Sequence, residues 1–296
     1  NKYSIIHTHG SKAGVIGRLA AAVARVPAVL YTVHGWGLKA APLFSREMFR
    51  LVEGILATIT TKILFQTEAD MKEALLYKVG TQDQYVLVGN GIDLDPFTKY
   101  DTTRAKEIRK ELKLHKKKVV GTVGRVSPAK NPIGFINIAN RLLKETKDVI
   151  FLFAGGGEML NEVRKRVRNL HLENDIIFLG VRRDIPELLS NFDIFILPSV
   201  WEGMPRSVIE ALALSKPVVA YRVGGLEEII EDGHNGFIIS LNQTDKFVES
   251  IKFLLENPAI CEKMGQIGKI TAQRYDFSKV VEKTESLYLQ LPIRST

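Results

Sequence analysis

Apolar positions along this chain fall into two alternating patterns. Short runs rich in β-branched residues read as buried strands: "YSIIHT", "AVLYTV", "KILFQ", "YVLVG", "KVVGTVG", "VIFLFAG", "DIIFLG", "FDIFILP", "PVVAY" and "GFIIS". Between nearly all of them, apolar residues recur at three- and four-residue spacing. That spacing predicts helices over 13–25, 45–60, 68–78, 102–112, 131–146, 157–170, 184–191, 205–215 and 225–231. Three more helical patterns close the chain, near 244–256, 259–273 and 277–290. Strand–helix alternation of this kind implies βαβ units and parallel sheets. The strands are continuously apolar, so both faces of each sheet are expected to be covered.

The run "GNGIDLDPFTKYD", residues 89–101, gathers Gly, Asn, Asp and Pro between a strand and a helix, and reads as a linker. Four predicted strands precede it and six follow. The expected fold class is α/β, with two Rossmann-like parallel-sheet units facing a cleft and dividing after residue 96. In such sheets ligands bind at the carboxyl ends of the strands.

Composition narrows the class. With 45% apolar and 25% charged residues in 296, the chain has the balance of a soluble globular protein. Its one cysteine, Cys261, excludes an internal disulfide framework and fits a reducing compartment. No apolar run reaches the ~18 residues of a membrane-spanning helix. The net charge of +8 is concentrated: residues 98–150 carry fourteen Lys and Arg against five acids, whereas the flanking segments are near balance. That excess includes "RAKEIRKELKLHKKKVV", whose plainest reading is a solvated helix and a basic loop. Attraction to an anionic membrane or substrate comes second. Nucleic acid comes third, because no aromatic interleaving or DNA-binding motif accompanies the charge.

Three stretches carry candidate chemistry. In "WEGMPRSVIEA", residues 201–211, Pro205 suits the first turn of a helix. The N–H groups of Met204, Arg206 and Ser207 would then face an anion. Glu202 precedes this helix start and Glu210 lies a turn inside it. Two carboxylates flanking an anion-binding backbone suit a ligand with hydroxyls at both ends and phosphate between, as in a nucleotide sugar. A capping glutamate and an ordinary helical one fit the spacing equally well. In "GTVGRVSPAKNP", residues 121–132, Arg125 and Lys130 follow a strand end, where a planar fork and a point charge suit a diphosphate. Two surface cations are the bland alternative. In "FAGGGEML", residues 153–160, glycines would allow close backbone approach to a ligand, although tight βα turns use glycine anyway. The "DLD" at 93–95 reads as turn chemistry rather than a metal motif, and no His/Cys/Asp cluster has metal spacing.

Together these stretches resemble the family 4 retaining glycosyltransferases of GT-B architecture. The resemblance rests on E-x7-E as "EGMPRSVIE", on "GRVSPAK" upstream, and on "FAGGGE", "FLGVRRDIPELL", "PVVAYRVGGLEEII" and "NGF". It extends to "HTHGSKAG", "YTVHGWG" and "VGNGID" and covers essentially the whole chain. It implies that Arg125 and Lys130 hold the donor diphosphate and that Glu210 bonds the ribose hydroxyls. Glu202 would contact the donor sugar, with Gly203, Met204, Pro205, Arg206 and Ser207 beside sugar and β-phosphate. The backbone at Val181 and Arg182 would line the base. His34 matches the family histidine near the donor sugar, and His7 and His9 are placed on the acceptor side.

The implied reaction is metal-independent transfer, with retention, from a nucleotide-diphosphate sugar to a glycan or lipid-linked acceptor. UDP-sugar is favoured over GDP-sugar on family frequency. A nucleotide-sugar binding module without transfer activity and a non-hydrolysing sugar-nucleotide 2-epimerase are the alternatives. The implied organisation is a partial acceptor-side unit over 1–96, a donor-binding unit over 97–275, and a closing helix in 276–296 that crosses back to the first. No cofactor or metal is implied. A cytoplasmic location follows, with peripheral contact at the inner membrane face through the basic segment 104–118.

The resemblance departs at the start of the chain. Family members usually have three more βα units before the "HTH" strand, so the N-terminal domain is expected to be incomplete. Its open sheet edge would invite a second copy or a partner chain. A shortened chain, an enzyme completed by another chain and a degenerate relative would each account for this; the first is preferred.

Overall fold

The computed structural model describes residues 3–35 and 43–291. Trp36 and Gly37 of "YTVHGWG" and residues 292–296 of the closing segment lie outside the described residues. In chain order the elements begin β1 (Ile5–His9), α1 (Ser11–Val23), β2 (Ala28–Val33), α2 (Leu43–Ala57), β3 (Lys62–Phe65), α3 (Glu68–Leu76), β4 (Tyr85–Leu87) and the short α4 (Asp95–Thr98). They continue α5 (Thr102–Glu111), β5 (Lys118–Val123), α6 (Pro132–Leu142), β6 (Val149–Ala154), α7 (Leu160–Asn169), β7 (Ile176–Gly180), α8 (Ile185–Ser190) and β8 (Ile194–Leu197). The last are α9 (Arg206–Ala213), β9 (Val218–Tyr221), α10 (Leu226–Ile229), β10 (Gly236–Ile239), α11 (Thr244–Glu256), α12 (Pro258–Ala272) and α13 (Phe277–Gln290). All ten apolar runs form strands.

The chain divides into two compact units. One takes the residues up to Gly91, the short stretch Trp201–Met204, and the residues from Phe277 onward. The other takes Ile92–Val200 and Pro205–Asp276. This corrects the expected border in two respects: the division falls after Gly91 rather than after 96, and residues 201–204 group with the first unit. The second has a physical cause described below.

The first unit is a parallel sheet in the order β1-β2-β3-β4. Parallel pairing needs crossovers, and α1, α2 and α3 supply them. On one face Tyr31, Val33, Ile63 and Phe65 pack with Ala57, Ala74 and Val79. On the other face Ala28, Leu30, Leu64 and Val88 meet Leu287 of α13 and the following Leu291. That alternation explains why β2 is buried along its whole length. Arg18 of α1 and Glu53 of α2 form a wholly buried pair, Nη2 to Oε2 at 2.8 Å, with the guanidinium 4.0 Å above the Tyr31 ring.

The second unit is a six-stranded parallel sheet, ordered β10-β9-β8-β5-β6-β7. The chain runs outward from β5 to β7, then returns to the other side of β5 and runs out through β8 to β10. The reversal falls between β5 and β8, and such a switch point opens a crevice at the strand ends. Phe135 of α6 meets Phe151 and Phe153 of β6 edge-on, with ring centroids 5.8 and 5.3 Å apart. Each of these phenylalanines is almost fully buried, which stabilises the fold by about 1.5–3 kcal/mol per side chain.

Candidate active site

The switch point determines what is brought together. After β5 the chain enters Gly124, Arg125 and a 3-10 turn over Pro128–Lys130. After β8 it runs through Pro198 to Val200. These two segments are stitched: the Val200 N–H donates to the Ala129 carbonyl at 2.9 Å, and Asn131 Nδ2 donates to the Pro198 carbonyl at 3.0 Å. Asn131 sits in the left-handed region, φ 49°, and its side-chain oxygen caps α6 by accepting from Gly134 N–H at 3.0 Å. Arg125 and Lys130 are thereby fixed at the carboxyl end of the central strand, and the aliphatic stem of Lys130 lies over Gly124.

The glycines of "FAGGGE" serve a neighbour rather than an open approach. Gly155, at φ +148°, lies so close to the β5 end that a Cβ there would stand 1.8 Å from the Gly124 carbonyl oxygen. The Val126 N–H donates to Gly156 O at 2.8 Å, and Gly155 N–H to Gly180 O at 2.8 Å. The ends of β5, β6 and β7 are thus laced into one floor. The glutamate that closes this run, Glu158, accepts from Arg125 Nε at 3.1 Å. Both side chains are more than half exposed, so solvent screens the pair and it adds little to stability. Sequence reasoning missed Glu158 because nothing local pairs it with a residue 33 positions away.

Helix α9 starts at Arg206, with Pro205 as its N-cap in extended conformation. This corrects the expected register, which put Pro205 within the first turn and the Met204 amide among the helix donors. Arg206 and Ser207 occupy the first two helical positions, whose N–H groups have no intrahelical acceptor. Glu210 lies half-buried on the same helix. Burial holds its carboxyl above the ordinary value, while the charges of Arg206 and Lys130 act in the opposite direction.

Val181 and Arg182 follow β7. Val181 is 80% exposed, whereas the Arg182 side chain is committed to Asp184 through Nε at 2.7 Å and Nη2 at 2.5 Å. The Arg182 guanidinium is thus engaged within the protein. Arg104 of α5 also grips Asp184, through Nε at 3.1 Å and Nη2 at 3.0 Å, and reaches Glu107 and Glu111. Hydrogen bonds from Arg182 first, then Arg104, hold Asp184 below its usual carboxylate range. An open cavity of about 640 Å³ lies here, bordered by Arg104, Val181, Arg182, Arg183, Asp184 and Glu187 among others. The network takes Arg104 out of the basic segment. Lys117 and Lys118 are likewise paired, with Asp175 at 3.2 Å and Asp193 at 3.1 Å. Lys106, Lys110, Lys113 and Lys116 remain exposed.

Glu202, Gly203 and Met204 group with the first unit because of one backbone contact. Gly35, at φ +86°, follows His34 at the end of β2, and a Cβ on it would lie 2.9 Å from the Gly203 Cα. A Cβ on Gly203 would lie 3.1 Å from the His34 carbonyl oxygen. Asn90 Nδ2 donates to the Met204 carbonyl at 3.4 Å, holding the other side of the turn. The turn bearing Glu202 therefore lies against the backbone of His34.

His34 is not alone. His9 Nδ1 is 3.2 Å from His34 Nε2, and the His9 ring stacks on His7 at 4.2 Å. His7 is held by Tyr288 Oη at 2.5 Å and Thr32 Oγ1 at 2.7 Å. Burial, then the neighbouring imidazoles, lower the His7 pKa to about 4. At the linker, Asp93 Oδ1 accepts from the Asp95 N–H at 3.0 Å and Lys99 pairs with Asp95, so "DLD" forms a turn. Among the described residues, no three or more His, Cys, Asp or Glu side chains are placed to hold a metal ion. None of the described helices is long and apolar enough to cross a membrane.

Known proteins resemble this chain in sequence and fold. A profile described as "Glycosyl transferases group 1" matches residues 103–271, over half of the chain, and one described as "Glycosyl transferase 4-like domain" matches residues 1–91. An Escherichia coli UDP-Gal:alpha-D-GlcNAc-diphosphoundecaprenol alpha-1,3-galactosyltransferase is 30% identical over 99% of this chain and 76% of its own length. Bacillus subtilis EpsD, a putative glycosyltransferase by name, is 30% identical over 97% of this chain and 76% of its own length. Anabaena HepE, solved in complex with UDP, superposes with a TM-score of 0.84 at 25% identity, over 97% of this chain and 79% of that one. The chain belongs to the group 1, family 4-like glycosyltransferases and has their GT-B fold.

Proposed function

We propose that this chain transfers a sugar from a nucleotide-diphosphate donor, UDP-sugar before GDP-sugar, to a glycan or lipid-linked acceptor, with retention and without a divalent metal. The observation that carries the reading is the convergence of Arg125, Lys130 and the start of α9 at the β5/β8 switch point, with Glu210 near Lys130. Cleaving the bond between sugar and diphosphate leaves new negative charge on the β-phosphate. Preorganised cations and helix N–H groups stabilise that charge without reorganisation. Arg125, Lys130 and the amides of Arg206 and Ser207 supply the positive charge that a metal would otherwise provide. Glu210 accepts from the ribose hydroxyls, Glu202 and His34 bond the donor sugar, and the Val181–Arg182 backbone lies along the base. Retention then follows from attack on the face the leaving group departs from, with the departing phosphate oxygen taking the acceptor hydroxyl's proton. No enzyme nucleophile is assigned: the two-carboxylate scheme needs a matched acid and base, and Glu202 and Glu210 are given binding roles instead.

The choice of UDP and of a lipid-linked acceptor draws support from the E. coli relative, whose name gives both, and from HepE with UDP bound. Such an acceptor would bring the chain peripherally to the cytoplasmic membrane face, with Lys106, Lys110, Lys113 and Lys116 as the remaining basic patch. Calorimetric titration with UDP and GDP, without metal, tests the reading. Saturable binding of UDP, weakened at least tenfold in Glu210→Ala, is the expected result. Equal failure of both nucleotides to bind would overturn it.

A further inference from the structure

We infer that His9 and His7 are positioning residues for His34: His9 fixes which ring nitrogen of His34 presents a proton, and His7 fixes His9. The inference rests on the assignment of His34 to the donor sugar proposed above.

The three imidazoles share one face at the carboxyl ends of β1 and β2. His7 and His9 are two residues apart on β1, which puts their side chains on the same side of the sheet. In the sheet register His9 lies opposite Thr32, two residues before His34. His7 is clamped twice, by Tyr288 from α13 and by Thr32 from β2. It is the fixed end of the group, and His9 lies flat against it.

The contact from His9 Nδ1 to His34 Nε2 contains one proton when both rings are neutral. Whichever nitrogen donates, the arrangement dictates the state of the opposite nitrogen on His34, since a neutral imidazole has one donor and one acceptor. The proton state that a sugar hydroxyl meets at that opposite nitrogen is therefore tied to the His9 contact rather than set by solvent. Protonating His7 or His9 is disfavoured, because burial first and then neighbouring imidazoles lower the pKa of each. The sequence hinted at this only as "HTH" followed by "TVHG"; the pairing depends on the β1–β2 register.

The test uses ¹⁵N-histidine spectra of the whole chain and of His9→Phe at neutral pH, with UDP release from UDP-glucose as the kinetic readout. In the unaltered chain the His34 ring nitrogens are expected at the separated shifts of one tautomer, and in His9→Phe they move toward exchange-averaged values. The kcat should fall on the order of 10-fold, the scale on which outer partners of functional imidazoles act, with KM changed less than about twofold. His9→Asn, whose amide can replace Nδ1, should recover most of the loss. An unchanged His34 ring spectrum in His9→Phe overturns the inference whether or not UDP-glucose is turned over. If His34→Ala loses activity while His9→Phe keeps it, the positioning role alone fails. If His34→Ala also keeps it, the assignment of His34 to the sugar fails, and this inference with it.

Discussion

The two units solve the same folding problem in different ways. In the second, strand order reverses at β5/β8, and helices close the sheet over a continuous core that includes Phe135, Phe151, Phe153 and Phe247. In the first, four described strands run in order without reversal, β1 is an edge, and the core is split between the two faces. Helix α2 leaves Phe44, Met48, Leu51 and Ile55 exposed at four- and three-residue intervals, and α1 leaves Ile16, Leu19 and Val23 exposed. What holds α1 to α2 includes a buried ion pair rather than an apolar seam. The proposed nucleotide site thus falls on a prepacked scaffold with a switch point. The histidine group and the Glu202 turn sit on a smaller sheet held by a few specific contacts.

That difference can be broken first at the buried Arg18–Glu53 pair. Glu53→Ala strands the Arg18 guanidinium in the interior and should destabilise the first unit by about 3–5 kcal/mol. Urea unfolding would check this, and a loss under about 1 kcal/mol would show that the pair is not what joins α1 to α2. In the second unit Lys130→Ala should leave folding intact but lower transfer on the order of 10²-fold, as loss of a single preorganised charge-stabilising donor does. Initial rates would show it; a loss below about threefold removes Lys130 from the leaving-group role.

A pH series sharpens the comparison further. Burial holds Glu210 above the ordinary carboxylate value of 4.5, so its charged form is the penalised one in the folded chain. Folding stability from this group is complete below the unfolded value and is lost as pH rises through the higher folded one. Nucleotide binding runs the other way, because the ribose hydroxyls need the carboxylate. UDP affinity should fall as pH drops through a midpoint above 4.5, and Glu210→Gln should flatten that dependence; identical pH curves for the two would contradict it. The smallest effect is expected at the exposed stripe: Leu51→Ser should change stability by less than about 0.5 kcal/mol. A melt showing a loss above about 1.5 kcal/mol would mean that α2 buries more than the structure exposes.

The sheet elements were legible because their signal is local. Each strand is a short apolar, β-branched run, and the change to three- and four-residue apolar spacing marks the longer helices; the short α4 falls within the run that reads as a linker. What was not legible depends on contacts across the chain. Gly203 touches Gly35 across 168 residues, so no spacing rule could assign the 201–204 turn to the first unit. The glycines of "FAGGGE" read either as room for a ligand or as needs of a tight βα turn; Gly155 and Gly157 lie against the Gly124–Val126 backbone, a contact that no local spacing shows. The basic segment reads first as a solvated helix and a basic loop; that Arg104, Lys117 and Lys118 pair with Asp184, Asp175 and Asp193 was not legible, because these acids lie on later strands and loops. Pro205 was placed one position too far into its helix; proline suits both the cap and the first turn, and the sequence does not separate them.

Hydrogen exchange of the whole chain with and without UDP tests the central claim most directly. The account predicts slowed exchange at 124–131, 155–160, 181–184 and 205–210, with α1 and α2 unchanged. Protection confined to the first unit, or none at all under saturating UDP, would contradict a nucleotide site built on the β5/β8 switch point.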